Sequence, residues 1–482
     1  MKRLFHRILL CFTLCAVLSS TLTLSAFAAE FEDVPEGHWA AESIHRCVEQ
    51  GFFNGESATR FGVGHQMTRS SFAVVLCRFF GWETSTPAET VYTDVAADVW
   101  YAGAIKAAYD HGAITNQLDT FRPADPLTRE ELAVMLVRAL GYGTISGLNQ
   151  DLSVPFQDVT TNAGYISMAY HLGLVSGTSA DTFSPAREAT REQVAVILMR
   201  LYDKLQSASP RQLTIAATPE AVEGADVVAL PAVQLVSSKV VSNMTAELTA
   251  ATLDAAHAAE IPALLYVTGS KLALNDVNQT YWGLLDAVNT GGYDGLFLDI
   301  PKLTYKNIKS FNTLVNKLND ALADKLLYVV ADAPVHGSKA TAAYDYATLT
   351  KLADQVFLRL EPYQEVTDSF MVAPPALPED IYYALTSLRN STEAGRLALM
   401  FSVAPSTWVK TREQPVTEEE LDQMLSAEET SIHFSQRYAS SYFFCPVASK
   451  QVVSGWYLDE DTLNVRLQLA SLLGTTYVCL TR

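Results

Sequence analysis

Two sets of residues in this chain have the types and spacing for chemistry. The first is a threonine–arginine pair present three times, Thr68-Arg69, Thr128-Arg129 and Thr190-Arg191, with steps of 60 and 62 residues between copies. A guanidinium presents a planar fork of donors that grips a carboxylate through two parallel hydrogen bonds. The same pair also reads as a helix cap followed by a solvated charge. The second set is a group of carboxylates that end three successive apolar runs, Asp299, Asp332 and Glu361, with Asp294 opening the first run and Asp459 and Asp461 further on. Two carboxyls flanking a glycosidic bond, about 5–9.5 Å apart, supply acid and base or acid and nucleophile. Helix capping and loop ordering are the plainer uses of such acids. Past residue 30 the four cysteines show no C-x-x-C spacing, so no metal site is expected.

An internal repeat shows what must carry the arginines. Phe31-Glu32-Asp33-Val34, Tyr92-Thr93-Asp94-Val95 and Phe156-Gln157-Asp158-Val159 open three segments, their Asp residues 61 and 64 apart. Each runs into a helical stretch (39–51, 100–112, 165–173), a loop with a phenylalanine (Phe61, Phe121, Phe183) and the Thr-Arg pair that opens a second helix. In the second copy Glu131 follows Thr128 by three residues, a capping box. Leu132, Met135, Leu136, Ala139 and Leu140 then recur at helical spacing, and Gly141 ends the run. A single two-helix unit leaves an apolar stripe bare, so three copies must pack on one another.

Length and charge bound the rest. The 482 residues allow two to four domains, and 49 % apolar residues exclude a disordered chain. A net charge of −19 argues against general nucleic-acid binding, which needs clustered Lys and Arg. Residues 1–29 read as a secretory signal, with Lys2, Arg3 and Arg7, an apolar stretch over 8–17 and Ala26-Phe27-Ala28 at the cleavage site; a single membrane anchor is the alternative. No later apolar run is long enough to span a bilayer, so no membrane contact is expected after signal removal.

After a polar hinge at 203–212, apolar runs at 227–236, 261–268, 293–300, 326–331, 355–361, 396–403, 441–445 and 476–480 alternate with amphipathic stretches such as 308–322 and 462–473. Apolar strands separated by helices indicate a covered parallel sheet, and about eight units match a (β/α)8 barrel. A doubly wound open sheet is the alternative, without a glycine-rich phosphate loop to favour it. The expected fold class is thus multidomain: an all-α three-repeat helical bundle followed by an α/β, TIM-barrel-like domain. The boundaries are signal 1–29, repeats 30–86, 87–149 and 150–205, linker 206–215 and barrel 216–482. Cys47 with Cys77, and Cys445 with Cys479, either form local disulfides or are small buried hydrophobes.

The repeat motifs over 31–202 resemble the S-layer homology (SLH) domain. That family packs as a three-lobed bundle and binds pyruvylated secondary cell-wall polysaccharide in grooves between lobes. The resemblance implies that Arg69, Arg129 and Arg191 meet the acidic sugar and that Asp33, Asp94, Asp158, Trp39 and Trp100 line the grooves. The copies differ: the first reads Thr68-Arg69-Ser70-Ser71 without the box acid and Phe61-Gly62-Val63 in place of Phe-x-Pro, and the third has Gly164 where the others have Trp. At least one groove is therefore expected to be degraded and Arg129 to matter most.

Residues 225–482 resemble glycoside hydrolase family 18, the chitinase-like enzymes, through Asp294-Gly295-Leu296-Phe297-Leu298-Asp299-Ile300-Pro301, through Tyr344-Asp345-Tyr346 with the following unit, and through Trp456-Tyr457-Leu458-Asp459 with its terminal helix and strand. In that family the last position of the strand motif is the Glu that protonates the leaving oxygen. Here it is Pro301, which carries no proton, and the middle acid is Phe297. Family-type hydrolysis is expected to be absent. Asp299, Asp332 and Glu361 are the weak catalytic candidates, and Asp294, Asp299, Tyr363 and Trp456 a possible cleft, with Tyr305 and Trp408 as further sugar-stacking aromatics. The expected protein is secreted, sits at the cell wall and needs no metal or cofactor. Its partners are secondary cell-wall polysaccharide and peptidoglycan or another glycan. A wall-anchored glycosidase with rearranged carboxylates and a structural S-layer subunit are the alternatives.

Overall fold

A computed structural model of the chain describes residues 31–481 apart from 116, 149–153, 208, 335–342, 361–373, 375, 411 and 448–450, so the expected signal at 1–29, Glu361 and Tyr363 lie outside the described residues. The chain divides into two compact units, 1–207 and 208–482.

The first unit holds helices α1 (Ala41–Glu49), α2 (Arg69–Phe80), α3 (Ala102–Asp110), α4 (Arg129–Ala139), α5 (Gly143–Leu148), α6 (Ala163–His171) and α7 (Arg191–Gln206). Thr68, Thr128 and Thr190 are the N-caps of α2, α4 and α7. In α4 the box is complete: Glu131 N–H donates to Thr128 Oγ1 at 3.2 Å and Thr128 N–H to the Glu131 carboxylate at 3.0 Å. In α7 Gln193 takes the acid's place, accepting from Thr190 N–H at 3.3 Å. In α2 Ser71 N–H reaches Thr68 Oγ1 at 3.2 Å. The residues just before these caps bond in a closed ring: Met67 N–H to Ala189 O (2.9 Å), Ala189 N–H to Leu127 O (2.8 Å) and Leu127 N–H to Met67 O (2.7 Å). All three side chains are buried, so the repeats share a dry centre. Cys47 and Cys77 are free buried thiols whose Sγ atoms donate to Ala195 O and Ala104 O, and burial pushes both up to about 12.

The second unit is built on parallel strands β1 (Arg211–Ile215), β2 (Val227–Val236), β4 (Ala263–Thr268), β5 (Gly295–Asp299), β6 (Leu326–Asp332), β7 (Gln355–Leu360), β8 (Leu397–Ser402) and β14 (Tyr477–Thr481). The barrel is closed, because β1 pairs with both β14 and β2; β3 (Lys239–Ser242) forms a hairpin on β2. The helices are α8 (Ala246–Ala258), α9 (Val277–Gly291), α10 (Ile308–Ala321), α11 (Tyr346–Leu352), α12 (Pro378–Leu388), α13 (Glu418–Ser426) and α14 (Glu460–Leu472). Each falls between successive barrel strands along the chain, α13 and α14 both between β8 and β14. The interior is filled by Leu264, Tyr266, Phe297, Tyr328, Phe357 and Met400 among others, a packed core rather than a pore.

Two strand assignments differ from expectation. The segment read as the end of the linker forms β1, whose only fully buried side chain is Leu213, so it has little of the apolar texture of its neighbours. The run at 441–445 is not a barrel strand. It belongs to β12 (Ser440–Val447) in an antiparallel sheet with β9 (Ser406–Val409), β10 (Arg412–Glu413), β11 (Ser431–Ser435) and β13 (Gln451–Tyr457), in the order β10-β9-β13-β12-β11. It is apolar because one face packs on α13, with Phe443, Cys445, Val453 and Tyr457 against Leu421, Met424 and Leu425.

Gly295 shows how tightly the barrel is drawn. A Cβ there would lie 2.2 Å from Leu326 O and 2.7 Å from a Leu264 methyl. Gly295→Ala is expected to destabilise the barrel by about 1–3 kcal/mol, measured by urea unfolding. An unchanged midpoint would show that β5 and β6 separate without cost.

Candidate functional site

Each repeated arginine crosses to the next repeat. Arg69 Nε donates to Phe121 O at 2.8 Å with the guanidinium 4.7 Å from the Phe121 ring. Arg129 does the same to Phe183 (3.0 Å, ring 4.5 Å), and Arg191 to Phe61 (2.9 Å, ring 4.9 Å), closing the cycle. Arg129 and Arg191 add bonds to Ser176 O at 2.6 Å and Asn54 O at 2.8 Å. Stacking and carbonyl bonds leave the outer edge of each fork as the part open to a ligand. Burial holds all three guanidiniums below their ordinary value.

The three forks are unequal in charge. Arg69 Nη1 lies 2.7 Å from the Glu131 carboxylate, with 12 % and 22 % of the two side chains exposed. Arg122 reaches the same carboxylate. Arg191 has Glu56 at 3.9 Å. Among the described residues Arg129 makes no ion pair, because the position that supplies Glu131 in the second repeat is the neutral Gln193 in the third.

Asp33, Asp94 and Asp158 order loops. Asp33 accepts from Phe61, Gly62 and Val63 N–H at 2.7–3.0 Å, Asp94 from Phe121 and Arg122 at 2.7 Å, and Asp158 from Phe183 and Ser184 at 2.8 and 2.7 Å. These bonds shape the loops that present the Phe carbonyls to the arginines. Trp39 and Trp100 stand on the surface, 62 % and 70 % exposed, beside His38 and Tyr101.

The acids also set a pH dependence. Burial opposes the charge on Asp33, but its backbone donors overcome this and hold the carboxyl below its ordinary value. The Phe183 and Ser184 N–H groups do the same for Asp158. For Glu131 burial is outweighed by Thr128 N–H, Arg69 and Arg122. Because the unfolded chain takes up these protons first, the stabilisation is complete above the unfolded values, about 4, and is lost as pH falls through the folded ones. Urea midpoints for the helical unit, followed by circular dichroism, are expected to drop steadily from about pH 5 to pH 3. A flat profile would remove these bonds from the account.

At the C-terminal ends of the barrel strands Asp299 and Asp332 are brought together by a residue the sequence reading overlooked. Arg359, on β7, donates from Nη1 to Asp299 Oδ1 at 2.6 Å and from Nε to Asp332 Oδ1 at 3.1 Å, with Nη2 on the same Asp332 oxygen. Tyr266 OH donates to Asp299 Oδ2 at 3.1 Å and Tyr344 OH to Asp332 Oδ2 at 3.3 Å. Burial works against the charge on Arg359, but the two carboxylates outweigh it and hold the guanidinium above its ordinary value. Every carboxylate oxygen of the pair therefore has a donor. A charged residue inside Val356-Phe357-Leu358-Arg359-Leu360 was the available signal, since a buried charge on an apolar strand requires a counter-ion.

Other expected cleft residues lie elsewhere. Asp294 precedes β5, at the opposite end of the barrel from the mouth, where it accepts from Ala263 N–H at 2.8 Å and faces His257 at 3.3 Å. Asp294 stands just before the first residue of β5 and Asp299 is its last, so the two cannot share a site. Trp456 sits on β13 in the inserted sheet, 3 % exposed and packed on Tyr442 and Tyr438. Asp459 caps α14. Among the described residues no cluster of His, Cys, Asp or Glu could hold a metal ion, and no helix is long and apolar enough to cross a membrane.

Comparison with known proteins bears on both units. The S-layer homology domain family matches residues 30–73, 91–133 and 155–195. The chain carries three S-layer homology domains. An endoglucanase of Bacillus sp. (strain KSM-635) is 33 % identical over 190 residues, covering 37 % of this chain and 19 % of that protein. An S-layer protein of Bacillus thuringiensis subsp. finitimus is 26 % identical over 227 residues, covering 46 % and 26 %. The chain thus spans about a fifth to a quarter of the length of these relatives. The S-layer homology domains, with S-layer proteins as relatives, make this a cell-surface, cell-wall protein. Among solved structures, the chitinase from Chromobacterium violaceum ATCC 12472 (TM-score 0.50, 14 % identity, 57 % of this chain and 93 % of that one) shares the barrel fold. The Bacillus cereus spore cortex-lytic enzyme SleL does so too (0.50, 11 %, 66 % and 78 %). At these identities the likeness is one of fold. The forks and the loops that hold them, Arg129 with Phe183 and Arg191 with Phe61, fall within or between the matched S-layer homology segments.

Proposed function

We propose that the S-layer homology domains anchor the protein non-covalently to the cell wall by gripping the ketal carboxylate of a pyruvylated secondary cell-wall polysaccharide, and that the barrel holds glycan without cleaving it. For the anchor, the supporting observation is the outward edge of the Arg129 fork, fixed by Phe183 and Ser176 and free of any ion pair among the described residues. A carboxylate on a sugar completes such a fork with two charge-assisted bonds. Arg191 is the second site in rank and Arg69, neutralised by Glu131, the third.

For the barrel, the support is the pairing of Asp299 and Asp332 with Arg359, together with Pro301 at the end of the strand motif. With Arg359, Tyr266 and Tyr344 donating to the carboxylate oxygens, both acids are held inward and neither is free to turn toward a leaving group. One observation favours hydrolysis instead. Asp380, in the first turn of α12 beyond the mouth end of β7, is pushed up to about 6 by burial and then by Glu379, within the range of a general acid. Incubation of the full chain with cell walls decides between the two. No release of reducing sugar is expected; release abolished by Asp380→Asn would establish the glycosidase.

A further inference from the structure

We infer that the second unit docks onto further copies of itself, a lysine-rich lip on one side of the barrel mouth receiving the acidic helix α13 of a neighbour. The lip is built from the β2–β3 hairpin tip with β3, the loop after β4 and the loop after β5. Ser238 Oγ donates to Ala273 O at 3.3 Å and Gly269 N–H to Asp299 O at 3.0 Å, which ties the three into one surface. Segments 236–243, 269–275 and 300–309 carry Lys239, Lys271, Lys302, Lys306 and Lys309, all exposed, and no Asp or Glu. In a chain of net charge −19 this is a local reversal of sign. Val236, Val241, Leu272 and Tyr305 lie exposed among the lysines. A Cβ at Gly283 would lie 3.0 Å from a Val240 methyl, so α9 rests against β3 and brings Trp282, 64 % exposed, beside the lip. Large apolar side chains left in water and rimmed by charge mark a surface that meets a partner.

The complement of the lip is on the same chain. Helix α13 packs on the inserted sheet through Leu421, Met424 and Leu425. Helical spacing puts Glu419 and Asp422 on its outer side, and Glu428 and Glu429 follow it; all four are exposed. Residues 413–430 contain no Lys or Arg. Among the described residues none of the five lysines and none of these four acids is in an ion pair, so both faces keep their charge for a partner. The two do not meet within one barrel. The inserted sheet departs from β8, which is four strands from β4 in either direction round the ring. Arg466 on α14 holds the β11–β12 turn to that side, donating to Ala439 O at 2.9 Å and to Ala376 O, just before α12, at 2.8 Å. Complementary faces on opposite sides of one body make a heterologous contact, which repeats into an open row and does not close as a two-fold dimer. Because the lip's counterpart is carried by the chain itself, the occupant is a second copy.

The inference is independent of the anchor and of glycan holding, and its test includes neither wall nor sugar. The chain from residue 30 onward, both compact units intact and the apolar stretch over 8–17 absent, is followed by sedimentation velocity over a concentration series. The wild type is expected to form concentration-dependent species larger than dimers, with association weakened about tenfold or more as salt rises from about 0.05 M to about 0.5 M. Glu419→Gln with Asp422→Asn, and separately Lys271→Gln with Lys306→Gln, should each weaken association about tenfold or more. In an equal mixture the intact lip of the first variant meets the intact helix of the second, so dimers return at wild-type concentrations and growth beyond them is lost. The mixture also guards against a folding defect, because a misfolded variant has no face to offer. A wild type that stays monomeric throughout would overturn the proposal. So would association that salt or either variant leaves unchanged, and so would a mixture that remains monomeric.

Discussion

Arg359→Met is expected to destabilise the barrel by about 3–5 kcal/mol, among the largest effects of any single substitution in this chain. The side chains of Arg359, Asp299 and Asp332 are 13 %, 7 % and 18 % exposed. Removing the cation leaves two like charges facing each other in a low dielectric, and their only relief is to take up protons. Amide hydrogen exchange in β5, β6 and β7 should accelerate, and the urea midpoint of the barrel should fall more at pH 8 than at pH 5. Replacing all three residues together, with Asp299→Asn and Asp332→Asn added, should recover much of the loss, since a neutral cluster of similar shape removes the uncompensated charge. A loss below about 1 kcal/mol for Arg359→Met would mean that solvent reaches the triad, and the argument that these acids are locked would fail with it.

Arg129→Ala should weaken wall binding at least tenfold, through two routes that lysine separates. A truncated side chain loses the carbonyl bonds to Phe183 and Ser176, the stack on the Phe183 ring and the outer fork. Hydrogen bonds involving a charged group contribute about 1.5–3 kcal/mol each, so one lost ligand bond is already tenfold or more. Arg129→Lys retains the charge but offers no planar fork. It is expected to keep most of the fold, read from the urea midpoint of the helical unit, and to lose most of the binding. Arg69→Ala should weaken binding least, because Glu131 already occupies its guanidinium. Equal losses at Arg69 and Arg129 would contradict the ranking of the forks.

The helical half was legible because its signals are local. Thr128 and Glu131 declare a helix start within four residues, and the Phe, Asp and Arg positions recur at nearly constant steps. What those residues touch was not local. That Arg129 lies on Phe183 follows only from how one repeat meets the next, and that Asp158 holds the Phe183 loop follows only from the fold of its own repeat. In the barrel, buried strands announced themselves as apolar runs, whereas β1, with Leu213 alone fully buried, did not. The run at 441–445 was apolar for a different reason, burial between α13 and an aromatic face, and periodicity cannot distinguish the two. Asp294 and Asp299 are neighbours in sequence and lie at opposite ends of one strand, which the motif by itself does not reveal. Arg359 was not legible as their partner, because it is a base on a different strand, next to that of Asp332 and next but one to that of Asp299.

In the proposed anchor, arginine forks hold an acidic wall polymer. The direct measurement is co-sedimentation of a fragment spanning residues 30–205 with native cell walls and with walls chemically stripped of their secondary polysaccharide, at matched ionic strength. The fragment should pellet with native walls, stay in solution with stripped ones, and lose the native-wall signal on Arg129→Ala. Equal sedimentation with both wall preparations would contradict it.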